Sequence, residues 1–173
     1  MILSFLLSLP IFAVSKISIG AGGITPHYAN KNINYCKRID KNNTIANNSF
    51  FLRYSGYNHA VTAIGGEDSI CAPILGLAYT YLFFGNENFM ELNLTLGGYS
   101  NNKEKWDNHR RDTPKGYDLA EAVYINIDGF RFTPIIAAEF NFVIARGKSW
   151  AFKLNNLYAV YISNHSLALE FTF

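Results

Sequence analysis

The end of the chain carries the pattern that most constrains the fold. Within residues 163–173, large apolar side chains alternate with small or polar ones. The apolar set is Leu167, Leu169, Phe171 and Phe173, and the alternating set is Ser166, Ala168, Glu170 and Thr172. Successive side chains of a strand point to opposite faces, so the pattern predicts a strand with one apolar face. A soluble sandwich also alternates, but a secretory-type start and several similar strands upstream favour the closing strand of a transmembrane barrel.

Composition agrees with a single small barrel. The chain has 173 residues, which is enough for one domain. Charged residues make up 16 % of it, and aromatic residues also make up 16 %. The net charge of +2 is too small to indicate binding to nucleic acid. No apolar run reaches the roughly 18 residues that a membrane-spanning helix needs. A barrel of alternating strands has few charged residues, many aromatic residues and no long apolar run, because only half of the side chains of each strand face lipid.

The start of the chain resembles a secretion signal. Residues 1–13, MILSFLLSLPIFA, form an apolar segment that contains Pro10 and ends at Ala13, although no Lys or Arg precedes it. We interpret 1–13 as a signal peptide and 14–173 as a single barrel domain. The alternatives are a buried first strand or helix, and a start codon that lies further upstream.

Alternation and turn residues divide the rest of the chain into strands. The predicted strands cover residues 17–25, 49–54, 60–64, 74–83, 90–97, 130–142, the segment marked by Trp150, Phe152 and Leu154, and the terminal strand. Including 119–127 would give nine strands, whereas single-chain bacterial barrels have an even number. We therefore predict an all-β, eight-stranded antiparallel transmembrane β-barrel. Segment 119–127 is then part of a long extracellular excursion or an upper extension of the strand that begins at residue 130.

The predicted alternation also places charges inside the barrel. The inward-facing charged residues are Glu91, Arg131, Glu139, Lys153 and Glu170. Unpaired charges in a narrow barrel are costly, so we expect Arg131 or Lys153 to pair with Glu139 or Glu170. We favour a structural plug of the lower barrel over a catalytic role for this network.

Three polar residues stand at strand ends on the predicted extracellular side. His27 follows the first strand, and Asp68 and Ser69 separate the third strand from the fourth. A histidine, an acid and a hydroxyl are the parts of an acyl-transfer site, in which the imidazole accepts a proton from the attacking alcohol. Solvated loop residues are the alternative interpretation of these three side chains.

The chain resembles the lipid A palmitoyltransferase (PagP) family of outer-membrane enzymes. The resemblance is carried by ITPHY at 24–28, EDSICAPILGLAY at 67–79, the GNENF turn that follows, FTPII at 132–136 and the aromatic C-terminus. It implies an eight-stranded outer-membrane barrel with an acyl-chain pocket in its upper half. It also implies catalytic roles for His27, Asp68 and Ser69, and transfer of a palmitoyl group from a phospholipid to lipid A without metal or cofactor.

The resemblance assigns further residues to substrate binding. Pro134 matches a proline that opens a lateral path for lipid, because proline removes one donor from the strand ladder. The pocket floor falls at Ala78, or at Gly76 if the alignment shifts by two residues. A methyl group at the floor makes the pocket shallower, so we expect acyl chains of palmitoyl length or slightly shorter.

The most basic part of the chain offers a site for lipopolysaccharide phosphates. Arg110 and Arg111 lie among several lysines in residues 100–116. A solvated loop is the alternative interpretation. Cys36 and Cys71 suit an oxidising compartment, either as a disulfide or as two buried thiols. We expect a monomer in the outer membrane with its active site facing the outer leaflet.

Two other functions remain open at this point. One is a lipid A deacylase or phospholipase, for which His165 and Ser166 are poor candidates because adjacent strand residues face opposite ways. The other is a non-enzymatic structural or surface barrel.

Overall fold

The computed structural model describes residues 16–26, 44–46, 48–67, 72–86, 89–102, 125–159 and 163–173. These ranges hold ten strands and no helix that is long and apolar enough to cross a membrane. The strands are β1 (Lys16–Pro26), β2 (Thr44–Ala46), β3 (Ser49–Ser55), β4 (His59–Glu67), β5 (Pro73–Asn86), β6 (Met90–Asn102), β7 (Ile125–Ile127), β8 (Phe130–Arg146), β9 (Trp150–Ala159) and β10 (Ser163–Thr172).

The eight long strands close into an antiparallel barrel. Their order is β1-β3-β4-β5-β6-β8-β9-β10, and β10 pairs back onto β1 from Lys16↔Thr172 to Ile24↔His165. A sheet whose first and last strands pair has no free edge along its length, so the barrel avoids edge-to-edge association. The predicted eight-stranded antiparallel barrel is confirmed.

The two ends of the barrel differ in their connections. Short connections join β3 to β4, β5 to β6 and β8 to β9 at one end, which we call the turn end. The backbone N–H groups of Gly56 and Gly147 close two of these turns on the carbonyls of His59 and Trp150, each at 2.8 Å. Lys16, at the start of β1, pairs with Thr172 and therefore lies at the same end. The opposite end, the loop end, receives the long connections.

The wall has an apolar exterior and a polar interior. Along β8, the inward side chains of Thr133, Glu139 and Asn141 are at most 2 % exposed, whereas the outward Ile136 and Ile144 are 64 % and 55 % exposed. This inverts the pattern of a soluble protein and is typical of a barrel that faces lipid. The predicted alternation in β8 and β10 is confirmed by their burial patterns.

Two short strands extend the wall at the loop end. The sequence interpretation left 119–127 outside the barrel or as an extension of the following strand, and Ile125–Ile127 does extend β8 as a hairpin. Asp128 and Gly129 form its turn with φ of 39° and 79°, which suits a two-residue hairpin connection. The sequence interpretation placed no strand between 17–25 and 49–54, and this was wrong, because Thr44–Ala46 forms a strand that pairs with β1. That pairing depends on the distant β1 and has no local signal.

Candidate functional site

The predicted catalytic residues His27, Asp68 and Ser69 lie outside the described residues, as do Arg110, Arg111 and both cysteines. The strands that precede the catalytic residues are described. β1 ends at Pro26 and β4 ends at Glu67, and both strands end at the loop end of the barrel. The two chain segments that carry the predicted trio therefore leave the wall at the same end.

Gly76 and Ala78 face the barrel interior from β5. Ala78 is 5 % exposed and lies in register with Thr62 on β4 and Gly97 on β6. A Cβ added to Gly97 would lie 2.7 Å from the Ala78 Cβ, so the alanine methyl occupies the space beside this glycine. Ala78 thus faces the interior, which the interpretation of a pocket floor requires.

Gly76 leaves no room for a larger side chain. A Cβ added there would lie 2.7 Å from the carbonyl oxygen of Gly98 and 2.8 Å from the Cβ of Tyr99. The backbone of Gly98 cannot move without disturbing the β5–β6 ladder. Of the two candidate floor positions, Gly76 is therefore the one at which a larger residue is expected to strain the wall.

Pro134 lies in the wall of β8 at a change of strand partner. On one side, β8 pairs continuously with β6, including Pro134↔Gly98. On the other side, β8 pairs with β7 over Phe130–Phe132 and with β9 from Ala137 onward. The neighbours of residues 133–136 on that side lie outside the described residues. Proline suits a change of strand partner because it has no N–H to contribute to a ladder.

The interior towards the turn end holds a first ion-pair network, centred on Lys153. Its Nζ lies 2.9 Å from a carboxylate oxygen of Glu91 and 2.9 Å from one of Glu170. Lys16 Nζ approaches Glu170 at 3.9 Å, and the hydroxyl of Ser18 donates to Glu170 at 3.2 Å. The predicted pairing of Lys153 with Glu170 is confirmed.

A second network surrounds Glu139, and here the predicted partner was wrong. Glu139 pairs in a bidentate manner with Arg53 rather than with Arg131 or Lys153, and Arg53 Nη2 lies 2.8 Å from Glu139 Oε2. Thr95 and Asn141 donate to the same carboxylate at 3.0 Å and 2.8 Å. The carboxylate is therefore fully hydrogen-bonded, as a buried charge must be.

A polar cavity of about 50 Å³ lies among these charges near the turn end. Lys16, Arg53, Glu91, Lys153 and Glu170 contribute to its lining. It has room for roughly four water molecules, taking 10–15 Å³ for each. Because its wall is charged, this cavity is unsuited to a hydrocarbon chain. Any acyl-chain site must lie closer to the loop end, where Gly76 and Ala78 face inward.

Sequence reasoning missed Arg53 and a polar pair on the outer wall. Arg53 alternates with the apolar Leu52 and Tyr54, so the inward assignment was available from the same period-two pattern that placed the other charges. The outer pair is Asn156 with His165, whose side chains are 2.8 Å apart. The dipeptide Asn155-Asn156 could have indicated this pair, because two successive strand residues cannot both face the interior and one asparagine must face outward.

Comparisons with known proteins identify no family. No family model matches the chain, and no curated protein matches it. Among solved structures, one that matches is the crystal structure of Ail, the attachment invasion locus protein of Yersinia pestis, in complex with the heparin analogue sucrose octasulfate. The two chains are 13 % identical, the match covers 92 % of this chain and 98 % of Ail, and the TM-score is 0.46. A likeness at this level says nothing about function, and the barrel assignment rests on the strand pairing described above.

Proposed function

We propose that the protein is an outer-membrane enzyme that transfers a fatty acyl chain from a phospholipid to lipid A. The observation that carries the proposal is the position of Pro134 in the wall, between the part of β8 that pairs with β7 and the part that pairs with β9. A hydrocarbon chain that reacts inside a barrel must pass through the wall. A proline removes one donor from the strand ladder, so the wall beside Pro134 is the place where this passage costs least.

The exterior supports a position in a membrane. The outward side chains of Leu94, Leu96 and Ile136 are 43–64 % exposed, and such surface is stable only against an apolar medium. Exposed aromatic side chains stand near the turn end, where a membrane interface favours them. They are Tyr57, Phe89, Trp150 and Phe173. Short turns on the periplasmic side and long loops outside then orient the loop end towards the outer leaflet.

The chemistry of the proposal needs no metal or cofactor. The acceptor hydroxyl of lipid A loses its proton to His27 as its oxygen attacks the donor ester. A bond forms between this oxygen and the acyl carbon, the bond to the glycerol oxygen breaks, and the proton passes to the departing lysophospholipid. Asp68 and Ser69 orient the imidazole and stabilise the developing charge, while Arg110 and Arg111 bind lipid phosphates.

The inward position of Ala78 supports a limit on the length of the acyl chain. A methyl group at the floor shortens a narrow pocket by about the length of one methylene, and each methylene contributes roughly 0.8 kcal/mol of burial. Palmitoyl or slightly shorter chains are therefore the proposed substrates.

A non-enzymatic surface barrel is the second candidate, and one observation favours it. Both interior networks are closed ion-pair systems in which every described carboxylate has a cationic partner. Such an interior stabilises the barrel without serving chemistry. The same networks are compatible with an enzyme whose site is confined to the loop end.

Mass spectrometry of lipid A separates the candidates in cells. An acyltransferase adds one acyl mass when the protein is expressed, a deacylase removes one, and a surface barrel leaves the spectrum unchanged. His27→Ala is expected to abolish the added mass while the barrel remains folded and heat-modifiable on electrophoresis. An added mass that persists in His27→Ala would contradict the assigned base.

A further inference from the structure

The outer wall carries a polar side-chain cluster where the barrel pattern predicts apolar residues. His165 on β10 and Asn156 on β9 are in register and both face outward. Their apolar neighbours on the same face are Leu154, Leu167 and Leu169. Polar and ionisable side chains on a lipid-facing surface are costly and usually have a function.

The hydrogen bonds of Asn156 fix its orientation. Its Nδ2 donates to the backbone carbonyl of Phe140 at 2.9 Å and approaches that of Leu154 at 3.5 Å. The amide oxygen is therefore the atom that faces the imidazole, and it lies 2.8 Å from His165 Nδ1. An amide oxygen only accepts hydrogen bonds, so Nδ1 must carry the proton that it donates.

This arrangement determines what the other imidazole nitrogen can do. In a neutral imidazole with its proton on Nδ1, Nε2 holds a lone pair and accepts a hydrogen bond. Among the described residues no hydrogen bond to His165 Nε2 is found. Asn156 thus fixes a hydrogen-bond acceptor at Nε2 of the half-buried His165 on the outer wall.

The position of the cluster indicates which lipid atoms it meets. β10 has ten residues, about the length of one membrane crossing, and His165 is its third residue from the loop end. The outward residues below it towards the turn end are Leu167, Leu169 and Phe171, each 37–46 % exposed. His165 therefore lies where acyl chains meet head groups, which is where the hydroxyl and amide groups of lipids are found.

Aromatic rings complete the cluster. Tyr158 stands edge-on to His165 with ring centroids 5.6 Å apart, and Phe140 stands edge-on to Tyr158 at 5.8 Å. Tyr158 remains 42 % exposed. The rings hold the imidazole from one side and offer an apolar surface for the first methylenes of a chain.

We propose that His165, Asn156 and Tyr158 form a binding site on the outer wall for a lipid that carries a hydroxyl or amide N–H near its head group. The lipid group donates a hydrogen bond to His165 Nε2, and its acyl chain packs along Tyr158 and Leu167. The site faces the bilayer rather than the barrel interior, so it goes beyond the proposed acyl transfer and does not depend on it.

The test is an NMR titration of the refolded barrel in zwitterionic micelles with ¹⁵N-labelled histidine, at about pH 8 so that imidazoles are neutral. The probes are methyl 3-hydroxytetradecanoate, N-methyltetradecanamide and methyl tetradecanoate, which has no donor. The first two are expected to shift the Nε2 resonance of His165 to saturation, and the last is expected to leave it in place.

The barrel supplies its own matched control. His59 also lies in the wall, but its ring is hydrogen-bonded to the Tyr79 hydroxyl and packs on Tyr81 beside the turn end. Its resonance is expected to remain unchanged with all three probes. Asn156→Ala is expected to weaken the response of His165 about fivefold, the equivalent of one neutral hydrogen bond. His165→Phe keeps the ring packing and identifies the His165 resonance, because this resonance disappears from the spectrum of the variant.

Three results would overturn the proposal. Equal shifts with the hydroxylated and the plain ester would mean that only apolar insertion occurs. Equal responses of His59 and His165 would mean that the probes act on any wall histidine. A shift with dihexanoyl phosphatidic acid but none with the hydroxy ester or the amide would indicate a phosphate site instead.

Discussion

Glu139 is the residue on which the interior of this barrel most depends. Its side chain is 2 % exposed and receives hydrogen bonds from Arg53, Thr95 and Asn141. These donors come from β3, β6 and β8, so one carboxylate links strands that lie on different sides of the wall. Removing either member of the Arg53–Glu139 pair leaves a buried charge without its counterion.

The first prediction concerns this pair. Arg53→Met and Glu139→Leu are each expected to lower the free energy of unfolding by about 3–5 kcal/mol, because an uncompensated charge remains inside. The measurement is urea unfolding of the barrel in lipid vesicles, followed by tryptophan fluorescence. The double variant Arg53→Met/Glu139→Leu is the control and should recover most of the loss. Single variants within about 1 kcal/mol of the parent, the range of a surface pair, would contradict the account.

The second residue-scale prediction concerns acyl-chain length. Ala78→Gly removes the one methyl group at the proposed pocket floor and should shift the transferred chains towards longer ones by one or two carbons. The readout is the distribution of added acyl masses on lipid A. Thr80→Ser is the matched control, because Thr80 faces inward on the same strand, one inward position nearer the turn end. An unchanged distribution in Ala78→Gly would exclude Ala78 as the floor.

Among the strands, β8 combines continuous pairing on one side with a change of partner on the other. Its seventeen residues pair with β6 along most of their length, while the other side changes partner from β7 to β9. The strand therefore remains anchored to β6 where its other side changes partner. This is the place at which the proposed function puts the lateral path for lipid.

The third prediction follows from that asymmetry. Pro134→Ala supplies the backbone donor that proline lacks and is expected to slow acyl transfer, because the added N–H can add a hydrogen bond to the strand ladder. Global stability should be unchanged or slightly higher. Ile136→Ala, at the next outward position of β8, is the control and should retain activity. Full activity in Pro134→Ala would show that lipid does not enter here.

The strands show which features the sequence could predict. All eight long strands were found from alternation and turn residues. Glu91, Lys153 and Glu170 were placed inside correctly, because side-chain direction in a strand follows from position alone. The partner of Glu139 was missed because it depends on which strands face each other across the interior. Strand β2 was missed for the same reason, since its only described pairing is with the distant β1.

The outer cluster illustrates a different limit of the sequence. His165 was weighed only together with Ser166, and the structure places Ser166 inward and His165 outward, as alternation requires. The true neighbour of His165 is Asn156, which lies in the preceding strand. Such a pair can be identified only when the register between β9 and β10 is known.

At the scale of the whole molecule, the barrel separates two environments. In the half towards the turn end, ion pairs surround a small polar cavity. A hydrocarbon chain does not fit there, because the cavity is small and its wall is charged. The half towards the loop end carries the small inward residues Gly76 and Ala78 together with buried polar side chains, and Pro134 lies in its wall. The polar side chains are those of Asn101, Arg131 and Thr133. The strands that precede His27 and Asp68 end in this half. An activity on lipid, if located within the barrel, belongs to this second half.

The most direct test of acyl transfer uses the purified barrel in detergent with lipid A and one phospholipid of defined acyl chains. Each acyl group gained by lipid A is expected to appear together with one molecule of lysophospholipid, and neither product is expected to form with His27→Ala. Release of free fatty acid without acylated lipid A, or no product from a folded barrel, would contradict it.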